Sequence, residues 1–156
     1  MCYENFDRSQ TRRIAPKGTD PSRADELTQL EIERVVINEL RDQQILVFRE
    51  LEGDRSFPFV LGFFEASNIE RTLKQLRMPR PLTHDAWLST IGALGESIEY
   101  AFIHTLAEHT YYAIVHVSRG NDSVDVDTRP SDAVCLAVKA GVPIYIREGL
   151  LALVTT

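Results

Sequence analysis

Alternating apolar and polar residues open the patterned part of the chain and predict three β-strands. The strands are expected over residues 30–37, 44–51 and 57–63, and the last two are joined by a Gly-containing turn. Pro58 has no backbone N–H to donate, so it places the third strand at a sheet edge or lies at that strand's start.

Helical spacing of apolar residues follows and predicts three main helices. The first is expected over residues 64–77, with Ala66, Ile69, Leu73 and Leu76 on its buried face. Thr83 is a favoured N-cap residue and predicts the start of the second helix. The third is expected from Pro130 to Ala140, because proline suits a first helical turn and Gly141 is a stop signal.

The remaining segments predict further strands, so that the chain contains both strands and helices. A strand pair is joined at Glu108 and His109, and a short helical turn closes the chain at about residues 148–153. The tally is about seven strands and three main helices, which predicts an α+β fold with a mostly antiparallel twisted sheet. The further strands are expected over residues 97–107, 110–118, 123–127 and 142–146.

Length and composition predict one globular domain behind a polar tail. Of the 156 residues, 27–156 form the expected domain, while residues 1–26 lack periodicity and predict a disordered N-terminal tail. Two long strands are apolar on both faces, so one face of the sheet is expected to be covered by a second subunit in a homo-oligomer.

Charge and cysteine content narrow the function classes. The net charge of −6 disfavours broad electrostatic capture of nucleic acid, although it is compatible with an enzyme that reaches phosphates through a divalent cation. Two cysteines without a Cys-x-x-Cys motif are typical of a reducing compartment. No apolar run is long enough for a membrane span or a signal peptide, so a cytoplasmic protein is expected.

The segment around residue 127 is the first candidate site. Asp125 and Asp127 share one face of a predicted strand, and Arg129 and Asp132 follow at the next helix start. Carboxylates beside an arginine can hold a divalent cation, Mg²⁺ or Mn²⁺, next to a phosphate. The alternative is structural: the two strand acids are solvated, Arg129 pairs with one of them, and Asp132 complements the helix dipole.

His84 and Asp85, at the start of the second predicted helix, form the other candidate. A histidine there can act as a general base. Adjacent helical residues do not face each other, so Asp85 is a poor partner for orienting it, and a surface histidine beside a capping acid is the alternative. Glu65, in a first helical turn, is a further candidate, although the helix dipole alone can account for it. His116 is expected to be a core histidine.

Four ordered blocks of residues stand out along the chain, whereas no glycine-rich nucleotide loop and no serine hydrolase motif is present. The blocks are Gly62-x-x-Glu65-Ala66, Arg80-Pro81-x-Thr83-His84-Asp85, Asp127-x-Arg129-Pro130-Ser131-Asp132-Ala133 and Gly141-x-Pro143-Ile144-Tyr145. In order and spacing they resemble the bifunctional nuclease domain family. The resemblance covers roughly residues 29–150, and Asn68 departs from the small residue that is commoner at its position.

The resemblance implies an α+β domain, often self-associating, that hydrolyses both DNA and RNA. It assigns no established catalytic roles, so the roles are physical hypotheses. Metal-assisted cleavage would use Asp127 and Asp132, with Asp125 or Glu65, as cation ligands. Substrate binding would fall to Arg80, Arg129 and Ser131, and proton transfer to His84. The rival hypothesis is a non-catalytic oligomeric or small-anion-binding module in which these residues only stabilise the fold.

Overall fold

The computed structural model describes residues 27–155, which form seven strands and four helices. The predicted N-terminal tail lies outside these residues. The strands are β1 (Leu27–Val36), β2 (Gln43–Glu50), β3 (Ser56–Gly62), β4 (Ser97–Ala107), β5 (Thr110–Arg119), β6 (Asp122–Thr128) and β7 (Ile144–Arg147). The helices are α1 (Phe63–Leu73), α2 (Thr83–Ala93), α3 (Pro130–Ala140) and α4 (Glu148–Val154).

All seven strands belong to one sheet in the order β3-β2-β1-β7-β4-β5-β6. Every neighbouring pair is antiparallel except β4 and β7, which are parallel. A parallel pair needs a crossover, and α3 provides it between β6 and β7. The α+β class and the mostly antiparallel sheet are confirmed.

The main core lies between the sheet and the helices. Alternate residues of β3 are buried, because successive side chains of a strand point to opposite faces. In β5, Val115, His116 and Val117 are buried in succession, so both faces of that strand are covered there. The central part of α3 is buried from Ala133 to Ala137, which makes it the most enclosed helix. Tyr100, Phe102 and Tyr145 form a second buried cluster apart from this core, with Ile114 packed against it.

Several predicted boundaries differ from the structure. The first helix ends at Leu73, not at residue 77, and Gln75 beyond it has a φ of 56°. Leu76, expected on the buried face, is 58% exposed. Thr83 is the first helical residue and Leu82 the N-cap, so the expected threonine cap is wrong. The closing turn is a fourth helix, α4. Pro58 does lie in an edge strand, β3, as expected.

A tight hairpin joins β4 to β5 and shapes one end of the sheet. Glu108 and His109 have φ values of 49° and 62°, which is the geometry of a two-residue type I′ turn. Beyond the turn, the ring of Tyr111 lies 5.4 Å from that of Phe59 in β3. The sheet is therefore coiled enough for its β3 edge to approach β5. Within residues 27–155, no helix combines the length and apolar character that crossing a bilayer requires.

Candidate active site at the start of helix α3

Arg129 and Asp132 form a rigid pair at the start of α3. Arg129 is the N-cap residue and Pro130 occupies the first turn, so the backbone fixes both side chains in place. The Arg129 Nε donates to Asp132 Oδ2 at 2.7 Å, and its Nη2 donates to Oδ1 at 3.1 Å. Two parallel bonds of this kind hold a guanidinium in one plane. The arginine is nevertheless 71% exposed, whereas the aspartate is 14% exposed.

His84 connects this pair to the interior of the three-helix junction. Its Nε2 lies 3.0 Å from Asp132 Oδ1, and its Nδ1 lies 2.9 Å from Asn68 Nδ2. A carboxylate only accepts hydrogen bonds, so Nε2 carries the proton, and Nδ1 of the neutral ring accepts from the Asn68 amide. Both ring nitrogens are thus engaged. Asn68 is buried in α1, so one chain of bonds crosses α1, α2 and α3.

The environment keeps Asp132 ionised. Burial favours the neutral acid, but hydrogen bonds from Arg129 and His84 outweigh burial and hold the pKa of the Asp132 carboxyl below its ordinary value. The same contact raises the pKa of Arg129 above its ordinary range. A permanently charged pair therefore stands at the end of the chain of bonds, with the positive group on the surface.

Glu65 lies on the other side of the guanidinium. Its Oε1 is 3.6 Å from Arg129 Nη2, and its side chain is 20% exposed. The carboxylate folds back over Gly62, where an added Cβ would lie 2.5 Å from Glu65 Oε2. The φ of Gly62 is −75°, so alanine would suit the backbone there, and its methyl group would require the flexible end of the Glu65 side chain to move. Gly62 therefore leaves room for the position that the Glu65 carboxylate occupies.

Asp85 has a separate structural partner. Its Oδ2 accepts from the Leu82 backbone N–H at 2.8 Å, and its Oδ1 accepts from Lys139 Nζ at 2.6 Å. The Lys139 contact holds the pKa of Asp85 below its ordinary value. This ion pair ties the start of α2 to the last turn of α3. Nearby, burial raises the pKa of the Cys135 thiol to about 12, which keeps it protonated.

Other predicted site residues are spread around this cluster. Asp125 Oδ1 accepts a hydrogen bond from the His116 ring Nδ1–H at 2.6 Å, and this contact lies on the β5–β6 pair. Within residues 27–155, the Arg80, Asp127 and Ser131 side chains take part in no hydrogen bond or ion pair.

The carboxylates predicted to bind a cation do not come together. In the described part of the chain, no three His, Cys, Asp or Glu side chains form a group able to hold a metal ion. Arg129, and not a cation, occupies the position between Asp132 and Glu65. The residues present therefore do not fit a divalent cation in this conformation, and the Mg²⁺ or Mn²⁺ site stays a prediction.

Two open clefts meet at the Arg129–Glu65 contact. The tyrosine cleft, about 440 Å³, lies between β3 and the β5–β6 pair; its lining includes His109, Tyr111, Tyr112, Asp127 and Arg129. The phenylalanine cleft, about 570 Å³, is lined by Glu39, Arg41, Asp42, Gly62, Phe63, Phe64 and Glu65. Residues 59–65 run continuously along both clefts. The exposed face of Arg129 thus opens onto a surface with substantial grooves.

Sequence reasoning missed two residues of the site, Asn68 and Lys139. Asn68 was noticeable only as a departure from the family pattern, yet it is the direct partner of His84. Lys139 lies in the last turn of α3, where a cation is adequately explained by the helix dipole. Neither contact has a spacing signal, because each joins residues of different helices.

Comparison with known proteins identifies the family. The bifunctional nuclease domain matches residues 46–156. This chain belongs to the bifunctional nuclease domain family. An uncharacterised protein of Mycobacterium tuberculosis is 40% identical over 116 residues, covering 74% of this chain and 69% of that protein.

More distant relatives carry the family name. Bifunctional nuclease 1 of Oryza sativa subsp. indica is 22% identical over 107 residues, covering 67% of this chain and 32% of the rice protein. Bifunctional nuclease 2 of Oryza sativa subsp. japonica is 24% identical over 118 residues, covering 73% and 36%. This chain therefore matches about a third of each rice protein.

Proposed function

We propose that this chain is a nuclease that hydrolyses phosphodiester bonds of DNA and RNA with little sequence preference. Membership of the family and the names of the rice relatives support the activity class. The observation that carries the proposal is Arg129: it is exposed, yet fixed through Nε and Nη2, and its Nη1 has no hydrogen-bond partner within residues 27–155. A guanidinium held in this way is preorganised for a phosphate.

The proposed mechanism uses charge stabilisation and one carboxylate base. The scissile phosphate binds the outward edge of Arg129, and negative charge that develops on its oxygens is stabilised there. Glu65, 3.6 Å from the same guanidinium, accepts a proton from the attacking water. The water oxygen bonds to phosphorus, the bond to the leaving oxygen breaks, and that oxygen takes a proton from solvent. No sequence-reading contact is required, which fits cleavage of both nucleic acids.

His84 and Asn68 serve this mechanism as positioning residues. Both nitrogens of the His84 ring already have partners, so proton transfer to substrate would first break a bond with Asp132 or Asn68. The ring instead fixes the Asp132 carboxylate, which in turn fixes the plane of Arg129. We therefore assign proton transfer to Glu65 in preference to His84.

Removing Arg129 tests the proposal most directly. In purified Arg129→Ala, cleavage of both single-stranded DNA and RNA should fall roughly 100- to 1,000-fold, the usual cost of losing one preorganised charge-stabilising donor. Arg119→Ala, at an exposed strand end, is the matched control. If the Arg129→Ala preparation cleaves as fast as the wild type, the activity comes from a contaminating nuclease, and the proposal is refuted.

The variant Gly62→Ala tests whether activity depends on the position of the Glu65 carboxylate without a change in folding. A methyl group at residue 62 displaces the Glu65 carboxylate, while the backbone conformation suits alanine. Activity should fall in Gly62→Ala, because the flexible Glu65 carboxylate must shift, with an unfolding midpoint close to that of the wild type. Glu65→Gln should lower activity further, by about 100-fold or more, because a general base is lost. Full activity in both variants would exclude Glu65 as the base.

A divalent cation remains a prediction from the sequence, and titration will test it. Cleavage should be compared in EDTA and with added Mg²⁺ or Mn²⁺, for the wild type and for Asp127→Ala. A metal response that disappears in Asp127→Ala would support a site that assembles only with substrate. An identical response in both proteins would exclude Asp127 as a ligand.

The second candidate function is a non-catalytic module. The observation that favours it is the enclosure of the motif: His84, Asp132, Asp85 and Lys139 connect helices to one another and are mostly buried. Such contacts stabilise a fold without any chemistry. This candidate predicts that Arg129→Ala lowers the stability of the fold, because Asp132 loses its partner, while any cleavage in the preparation stays unchanged. The loss of cleavage expected above is the opposite result.

A further inference from the structure

Exposed aromatic residues flank the Arg129–Glu65 contact on both sides. Phe64, in the phenylalanine cleft, is 84% exposed, and Tyr112, in the tyrosine cleft, is 44% exposed. Phe64 packs edge-on against the ring of Phe63, with centroids 5.9 Å apart, so two aromatic rings lie together in the phenylalanine cleft. Phe64 directly precedes Glu65 in α1, so its position relative to the proposed base is fixed by the helix.

Strand register brings Tyr112 near Arg129. Thr128, the last residue of β6, pairs with Ala113 of β5; Arg129 follows Thr128, Tyr112 precedes Ala113, and both line the tyrosine cleft. The adjoining turn holds Glu108 and His109 at positive φ, a conformation that costs free energy for residues other than glycine. The turn therefore keeps a second ring, that of His109, in the lining of the same cleft.

We propose that the two clefts are nucleobase subsites on either side of the scissile phosphate, and that the substrate is single-stranded or locally unpaired nucleic acid. The inference deepens the proposed function and rests on it. One base stacks on Phe64, the phosphate binds Arg129, and the neighbouring base enters the tyrosine cleft.

The charges of the two clefts disfavour binding of a long duplex backbone. Arg129 and Arg41 are the cationic groups of the two clefts, and Glu39, Asp42, Glu65 and Asp127 lie around them. Recognition of a duplex backbone depends on many cationic contacts, which this acidic surface lacks in its two described clefts. Stacking on aromatic rings is insensitive to sequence, but it needs base faces that a duplex keeps covered.

Binding and cleavage measured side by side test the inference. The probes are a short fluorescein-labelled phosphorothioate single strand, for anisotropy, and the matching phosphodiester strand, for kinetics. Phe64→Ala and Tyr112→Ala should each weaken binding roughly 5- to 100-fold and raise KM more than they lower kcat. Tyr112→Phe should retain binding. Leu94→Ala removes an exposed apolar side chain at the end of α2, outside both lining sets, and should change nothing.

The outcomes separate this inference from the proposed function. Arg129-dependent cleavage with wild-type behaviour of Phe64→Ala and Tyr112→Ala would overturn the subsites and leave the nuclease standing. Weakened binding in these variants without any cleavage by the wild type would support the subsites and refute the nuclease. Equal binding of the annealed duplex would overturn the single-strand preference. A wild-type dimer that Phe64→Ala dissociates would assign the surface to a second copy, and that too overturns the inference.

Discussion

Among residues 27–155 there are two histidine–aspartate pairs, and only one of them belongs to the family motif. His84 and Asp132 are 3.0 Å apart among the helices, and both ring nitrogens of His84 have partners. His116 and Asp125 are 2.6 Å apart on neighbouring strands, and the buried Nε2 of His116 has no partner among the described residues. By bond geometry alone, the second pair looks more like a catalytic dyad.

Access distinguishes the two pairs. His116 is 5% exposed, and its ring stacks on Tyr100 with centroids 4.4 Å apart. His84 is also mostly enclosed, but Asp132 passes its orientation on to an arginine that reaches solvent. A histidine can therefore contribute to a site without touching substrate. His84 orients Asp132, Asp132 orients Arg129, and only Arg129 has to reach the substrate. The His116 ring instead packs on the buried ring of Tyr100.

Removing His84 should lower the stability of the protein more than removing His116 does. His84→Ala deletes two hydrogen bonds and leaves the Asn68 amide buried without its partner, which should lower the free energy of unfolding by about 2 kcal/mol. Urea unfolding followed by circular dichroism measures this. His84→Gln keeps a donor and an acceptor and should recover part of the loss. Unchanged stability in His84→Ala would remove the basis for the positioning role.

The fold was largely predictable from the sequence, whereas the site was only partly so. Strands and helices follow from periodicity within β3 or α3, because a regular element repeats its environment every two or 3.6 residues. The pairing of His84 with Asp132 joins residues 48 apart and has no repeat to reveal it. Asp125 illustrates the limit. The alternating pattern correctly places Asp125 and Asp127 on one face of a strand. Asp125 nevertheless contacts His116, and the sequence shows only that His116 lies among apolar residues.

Lys139→Met should give a smaller effect that depends on pH. The Lys139 contact lowers the pKa of Asp85, so its stabilisation is fully present above the unfolded carboxyl pKa of about 4 and is lost as pH falls through the folded value. At neutral pH, we expect a loss of about 1 kcal/mol, because Asp85 is one-third exposed and keeps its Leu82 bond.

The measurement for Lys139 is a series of urea unfolding curves between about pH 7 and pH 2, in the range where ordinary carboxyl groups titrate. The stability difference between Lys139→Met and the wild type should shrink as the solution is acidified. Lys74→Met is the control, because it removes a comparable ion pair, that between Lys74 and Glu70 at the end of α1. A difference that grows towards acid pH would contradict the assigned direction of the Asp85 shift.

His116→Phe should have the smallest effect, and this asymmetry is the sharpest test of the comparison. Phenylalanine keeps a flat ring against Tyr100 and removes a buried nitrogen without a partner, which offsets the lost bond to Asp125. Asp125 is 31% exposed and can be hydrated. Stability should stay within about 1 kcal/mol of the wild type, and cleavage should be unchanged. Abolished cleavage in a stably folded His116→Phe protein would move the catalytic centre to the other pair. The Nε2 of a ring that Asp125 orients through Nδ1 would then be the proton acceptor that His84 is not.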